Sequence, residues 1–294
     1  MGLTFNFCRC GFKLFKQGYK SGIRLYSEKI VPLDESTVIG RIVLFMNNKY
    51  IEPNTNSKVN YELKDSAKYS INNVIDKFKS NQANHISNLK SDDIEELLRT
   101  LKYENYTSNK YHFKRLMQII DAECCTRLDY LDSATILRIL NEFTQSVPNR
   151  IREYQFYNKA IDRLISEVGF LSKEELLQTI FYIGLEKKSK NAQVMLRKCM
   201  QKLTKEDIES LSVEELCIIC NSTFKTSTKI RNRQILENVK KTINDKLYLL
   251  KDTALFIILV KTLRHNRYQD EDVLNTISST IFFNKTHQFY YAPA

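Results

Sequence analysis

Glycine and proline are scarce: the 294 residues hold 7 Gly and 4 Pro, and five of the Gly lie in the first 40 positions. After Arg41 only Gly169 and Gly184 remain, so no glycine-rich phosphate loop or dinucleotide fingerprint can be written in the body of the chain. Nucleotide-binding enzymes of those kinds are excluded. β-Sandwiches and barrels set Gly or Pro at many tight turns, so the same scarcity argues against them. No run approaches the ~18 apolar residues of a membrane span; the longest candidate, 254–260, has the length of a core helix. The 7 Cys form no pairing framework beyond adjacent Cys124 and Cys125 and one Cys217-x-x-Cys220, which fits a reducing compartment better than a disulfide scaffold. What is present, 43% hydrophobic and 27% charged residues, supports a packed, all-helical chain.

Catalytic constellations are equally thin. The four His (His85, His112, His265 and His287) are scattered singly, so Cys217 and Cys220 lack the two further ligands of a zinc site and read as small packing residues. The adjacent pairs Glu174-Glu175 and Glu214-Glu215 suit first helical turns, and no nucleophile elbow occurs. The expectation is a noncatalytic protein with no cofactor and no metal.

Net charge is +11, unevenly spread. Residues 1–26 carry Arg9, Lys13, Lys16, Lys20 and Arg24, no acid, and interleaved apolar residues such as Phe5, Phe7, Phe12, Leu14 and Phe15. That is the composition of a mitochondrial presequence. Arg24-Leu25-Tyr26-Ser27 matches the arginine-at-minus-three processing motif of the matrix peptidase, with cleavage expected after Tyr26; the alternative is a basic N-terminus of a cytosolic protein. From Lys187 to Arg267 there are 18 basic and 8 acidic residues, whereas Glu28 to Glu186 is nearly balanced.

Self-similarity is the dominant signal. Five segments open with a turn residue or an acid and continue as an apolar helix, and their first apolar positions, Leu97, Ile136, Leu176, Leu216 and Leu255, are 39, 40, 40 and 39 apart. Asp132, Ser172 and Ser212 are N-cap residues, and Ser172 with Glu175 and Ser212 with Glu215 have capping-box spacing. A second amphipathic segment follows each opening: 111–120, 151–165, 192–203, 230–243 and 273–281. Each unit is therefore a helical hairpin, and hairpins that cannot bury both faces alone stack. The expected fold is all-α: a right-handed-type helical-hairpin repeat solenoid of about five units with a period of about 40 residues. Residues 1–26 are the presequence, 27–88 a linker with a degenerate capping hairpin, 89–283 the repeat domain and 284–294 a tail. The end has no polar capping helix, so a protein partner covers it or the chain is a shortened version of something longer.

Lys187, Lys188 and Lys190 fall in one inter-helix turn, Lys225, Lys229, Arg231 and Arg233 around the next, and Arg264, His265 and Arg267 around the one after. Stacking would align them along one edge, the electrostatic shape that follows a phosphate backbone. Helix C-termini also favour cations through the dipole, which is the plain alternative. Tyr182, Phe224 and Tyr268 are the nearby aromatics that could stack on bases, though core packing explains Phe224 at least as well.

The segment Leu211-Ser212-Val213-Glu214-Glu215-Leu216, continuing through Cys217-Ile218-Ile219-Cys220 to Phe224-Lys225-Thr226, resembles the helical repeats of the FAST kinase domain-containing proteins, and 171–177 echoes it. The resemblance spans 89–283; the family's C-terminal FAST subdomains and RAP domain are not found, so nothing assigned to them carries over. It implies a mitochondrial matrix protein acting on transcript stability, processing or translation. The expected partner is single-stranded RNA of mitochondrial transcripts, contacted by Lys187, Lys188, Lys190, Lys225, Lys229, Arg231, Arg233, Arg264 and Arg267. The competing expectation is a helical-repeat scaffold for a protein partner in mitochondria.

Overall fold

A computed structural model describes Ile39, Ile42, Val43, Met46, Lys90, Ile94, Glu95, Leu97 and Leu98, then residues 110–147, 150–186, 189–246, 253–268, 270, 271 and 273. The leader 1–26, most of 27–88, Asp93, Lys187, Lys188, Asp252, all but Val273 of 273–281, and the tail 284–294 lie outside the described residues. Among the described residues the secondary structure is entirely helical, with no strand. The helices are α1 (Lys110–Arg127), α2 (Ser133–Ser146), α3 (Gln155–Ser166), α4 (Lys173–Leu185), α5 (Lys190–Lys202), α6 (Lys205–Glu209), α7 (Val213–Thr226), α8 (Arg233–Lys246) and α9 (Thr253–His265), with short 3-10 turns at Leu128–Tyr130 and Ile151–Glu153.

The first residues of α2, α4, α7 and α9 are 133, 173, 213 and 253, a constant step of 40. Local chemistry sets three of these starts. The Asp132 side chain accepts from the Thr135 amide at 2.7 Å, and complete capping boxes stand at Ser172/Glu175 and Ser212/Glu215. In each box the serine amide donates to the glutamate at 2.8 Å, satisfying an amide that the helix itself leaves unpaired. A third box, Thr204 with Asp207, starts the five-residue α6, which hydropathy spacing gave no reason to expect. Helix α3 begins later than the expected 151. Tyr154 is extended and supplies no cap, while Asp121 of α1 accepts from the Gln155 and Phe156 amides at 3.1 and 2.7 Å. The cap of α3 is thus borrowed from another helix. Helix α8 starts at Arg233 rather than 230 because α7 ends in a left-handed residue and a connection through 232 follows.

Helices α2, α4, α7 and α9 pack on one another in that order, while α1, α3 and α5 pack in sequence as a second row; α8 packs against α7 and α9. Bonds between successive first-row helices repeat at one separation. Ser133 Oγ donates to Glu175 at 2.5 Å, Lys173 Nζ meets Glu215 at 2.9 Å and Thr262 Oγ1 donates to the Cys220 carbonyl at 3.3 Å, each 42 residues apart. Because α4 and α7 have neighbours on both sides, their apolar stretches are buried all round: every residue from Leu176 to Leu185 and from Leu216 to Thr223 is buried. Thr179, Thr223, Thr226 and Thr262 hide their hydroxyls by donating to carbonyls four residues back, at 2.8 to 2.9 Å.

The tightest approach in this row is at Gly184. A Cβ there would stand 2.5 Å from Ser222 Oγ, 2.7 Å from its Cβ and 2.9 Å from its Cα, so only hydrogen fits between α4 and α7. Gly184→Ala should therefore destabilise despite alanine's intrinsic helix advantage of about 1 kcal/mol, with an overpacking cost of about 1–3 kcal/mol. Denaturant melts should show part of that loss recovered when Ser222→Gly is added, since this removes two of the three atoms in the way.

The capping carboxylate of Glu175 also ties stability to pH. Burial raises its pKa, but hydrogen bonds from the Ser133 hydroxyl, the Ser172 amide and the Ser172 side chain lower it more, so the net position is below the ordinary 4.5. A carboxyl lower in the folded chain than in the unfolded one stabilises above its ordinary pKa, and that contribution is lost as pH falls through the folded value. The melting temperature should accordingly decline on acidification below about pH 4.5, and Glu175→Gln should make the decline shallower.

Candidate nucleic-acid interface

At the end of α7, Ser227 adopts φ 59° and ψ 31°; its amide donates to the Phe224 carbonyl at 3.2 Å, and that of Thr228 donates to Thr223 at 2.8 Å. Forty residues on, Arg267 adopts φ 56°, its amide donating to Arg264 at 3.1 Å and that of Tyr268 to Leu263 at 3.0 Å. Both helices thus close with a left-handed residue, a conformation that normally selects glycine. Here serine and arginine occupy it. These closures aim the following segments along one edge, where side-chain bonds tie neighbouring turns together. Gln193, in the first turn of α5, donates to the Thr226 carbonyl at 3.0 Å. Asn266 accepts from the Ile230 amide at 2.8 Å while donating to the Thr262 carbonyl at 2.8 Å.

The basic residues singled out from sequence that fall among the described residues lie in or beside the helix ends. Lys190 is exposed as the first residue of α5, Lys225 is half-buried in the last turn of α7, Lys229 and Arg231 are exposed in the connection to α8, and Arg264 and Arg267 are exposed at and after the end of α9. Arg233, the first residue of α8, is 86% exposed and reaches Glu237 at 3.4 Å, an exposed pair worth little. Lys187 and Lys188 belong to the connection before α5, outside the described residues.

Helix dipoles account for Lys225 and Arg264, which stand at the negative ends of α7 and α9. They do not account for Lys190 and Arg233. Those cations stand at the positive ends of α5 and α8, neither of which has an acid in its first turn, where a cation costs about 0.3–1 kcal/mol. By contrast the first turns of α4 and α7 carry Glu174-Glu175 and Glu214-Glu215, and the one cation there, Lys173 at the start of α4, is paired with Glu215 at 2.9 Å. Acid-rich helix starts therefore mark one edge of the first row, and the cation-bearing turns mark the other.

The three aromatics fare differently. Tyr182 is fully buried, and its carbonyl accepts from the Tyr157 hydroxyl at 2.7 Å, so the expectation that its ring stacks on a base is corrected: it is a core residue. Tyr268 is half-buried and packs against the core, and burial, followed by the hydrogen bond and the charge of Glu237, pushes up its pKa. Phe224 is 41% exposed. The Lys261 ammonium lies over its ring, 5.7 Å from the centroid, and the His265 ring stands edge-on at 6.0 Å. Sequence reasoning missed Lys261, although its spacing of three and four to Arg264 and His265 puts all three on one helical face. It also missed Gln193 and Asn266, whose amides have no periodic signature.

Cys217 and Cys220 are buried in α7, and burial pushes the Cys220 thiol up to about 12. Among the described residues no three His, Cys, Asp or Glu side chains converge as a metal site, and no helix is long and apolar enough to cross a membrane.

Arg267 offers a separation of fold from charge. Arg267→Gly should relieve about 1 kcal/mol of left-handed strain and raise the melting temperature, while removing one cation from the edge and so weakening polyanion binding. A variant both more stable and weaker in binding is the expected result by calorimetry and filter binding.

No protein-family model matches the chain, and no curated protein or solved structure is significantly similar to it.

Proposed function

We propose that this chain is a noncatalytic RNA-binding protein of the mitochondrial matrix. It binds single-stranded RNA of mitochondrial transcripts along its basic edge and serves their stability, processing or translation. The array is a right-handed-type helical-hairpin solenoid of about five units. The observation that carries the reading is the placement of Lys190 and Arg233 at helix N-termini. A cation there is unfavourable for the helix, but together with the first-turn amides and the positive end of the dipole it makes an anion site. Arg267 in a left-handed position adds a second case of strain borne by a cation on the same edge.

The test is RNA binding as a function of salt. Each phosphate neutralised adds about −0.7 to the slope of log affinity against log salt for a single strand. Six to nine contacts therefore give a slope of roughly −4 to −6, and a flat dependence rejects the reading. Sequencing of RNA crosslinked to the protein in intact mitochondria, with mass spectrometry of the mature N-terminus for cleavage after Tyr26, tests the compartment.

A protein-scaffold reading has one observation of its own. Tyr130 and Phe170 are 89% and 92% exposed, stand 40 residues apart, and each precedes an N-cap residue, Asp132 or Ser172, by two. Two exposed aromatics at one repeat position, away from the basic turns, suit a protein contact.

A further inference from the structure

We propose that Phe224 is a stacking platform for one unpaired nucleobase of the bound RNA, with the flanking phosphates held by Lys225 and Arg264; this rests on the RNA-binding reading above. Phe224 is the one exposed apolar side chain of α7, in a helix whose other large apolar residues are buried or half-buried. It is not loose. The Lys261 ammonium over its ring and the edge-on His265 ring hold it from α9, and its own carbonyl accepts from the Ser227 amide in the helix closure. The ring is partly bare and placed among cations.

Its position within the repeat completes the case. In the two helix closures, Phe224 and Arg264 are equivalent, each the carbonyl that accepts from the left-handed residue three positions later. Lys225 follows Phe224, as His265 follows Arg264. An aromatic flanked by a lysine on its own helix and an arginine at the equivalent position of the next therefore sits within a line of phosphate contacts. Base–aromatic stacking between backbone-tracking cations is how single strands are held without pairing. What sets Phe224 apart from the exposed Tyr130 and Phe170 is its setting among cations, with Lys261 over the ring and Lys225 and Arg264 beside it, which suits a nucleobase carried on a phosphate backbone. Tyr182 and Tyr268 do not compete, the first being buried and the second packed half-buried against the core.

The chain contains no tryptophan, so Phe224→Trp places a single indole at the platform and makes stacking directly visible. The full chain carrying Phe224→Trp is titrated with a uridine 12-mer and, separately, with a 12-mer of abasic ribose phosphates. The expected result is quenching of indole emission by the uridine oligomer, and binding of the abasic oligomer, followed by anisotropy, without that quenching. Phe224→Ala should weaken uridine binding by about 5- to 150-fold, the range of one lost stack, and leave abasic binding within about twofold. Its melting temperature is measured alongside, and the tryptophan variant supplies the answer if the alanine variant melts early. Unchanged emission, or equal loss for both oligomers, overturns the platform while the RNA-binding reading stands. Failure of the parent to bind either oligomer at low salt overturns both.

Discussion

Replacing Lys225, Lys229, Arg231 and Arg233 together by Glu should reduce single-stranded RNA affinity by on the order of 100-fold or more near 0.1 M salt and make the salt slope shallower by about 3. The melting temperature should stay close to the parent's. The four residues surround one turn, three of them are exposed, and none is an N-cap. Local effects on the fold nearly cancel. Lys225→Glu sets an acid at the negative end of α7, costing about 0.3–1 kcal/mol, whereas Arg233→Glu sets one at the positive end of α8 and returns a similar amount. The new Glu at 233 would face Glu237, now its partner at 3.4 Å, at a cost of about 0.2–0.5 kcal/mol. Phosphate contacts carry no base information, so the loss should be uniform across RNA sequences. A variant that binds RNA as well as the parent leaves this turn a solvated edge and moves the protein-scaffold reading, with Tyr130 and Phe170, into first place.

Leu176→Asp is expected to be the most damaging single change to the fold. Leu176 is 3% exposed near the start of α4, a helix that packs against α2, α3, α5 and α7. An aspartate there loses the leucine's burial, worth about 1.5–3 kcal/mol, and buries a carboxylate with no cation prepared for it, costing several kcal/mol more. Together these approach the ~5–15 kcal/mol that holds an ordinary domain folded. Loss of the cooperative thermal transition, or its collapse by more than about 10 °C, is the expected outcome. An unchanged melt would mean that α4 is not the centre of the first row. Leu176→Ala, at about 2–5 kcal/mol, gives a graded second point.

Much of this architecture was written in short-range chemistry. Helix starts at 133, 173 and 213 were legible because Asp132, Ser172 and Ser212 announce themselves by side-chain type, and the two serines also by glutamates three residues on. Closures were not legible. Ser227 and Arg267 do what glycine usually does, and no residue-type signal marks a left-handed serine or arginine. Nor could the cap that Asp121 gives α3 be foreseen, since its 34-residue reach depends on α1 packing against α3. At the basic edge, charge and spacing located the turns that the structure sets side by side. They could not separate Tyr182 from Phe224: both are aromatics near the end of an apolar helix, and only the neighbours on either side decide that one is core and the other half bare.

The recurrence of Ser-x-x-Glu at Ser172 and Ser212 also bears on how such a chain tolerates changes in length. Excising residues 173–212 would join Ser172 to Val213-Glu214-Glu215 and rebuild an intact capping box at the junction. Ser133 would then find Glu215 where it now finds Glu175. A cut that is not a whole number of these steps would strand a cap or rotate a buried face into water. Gain and loss in whole steps of forty is therefore the change in length this design absorbs most readily, and each such step would add or remove one set of cations from the edge without altering the build of any one turn.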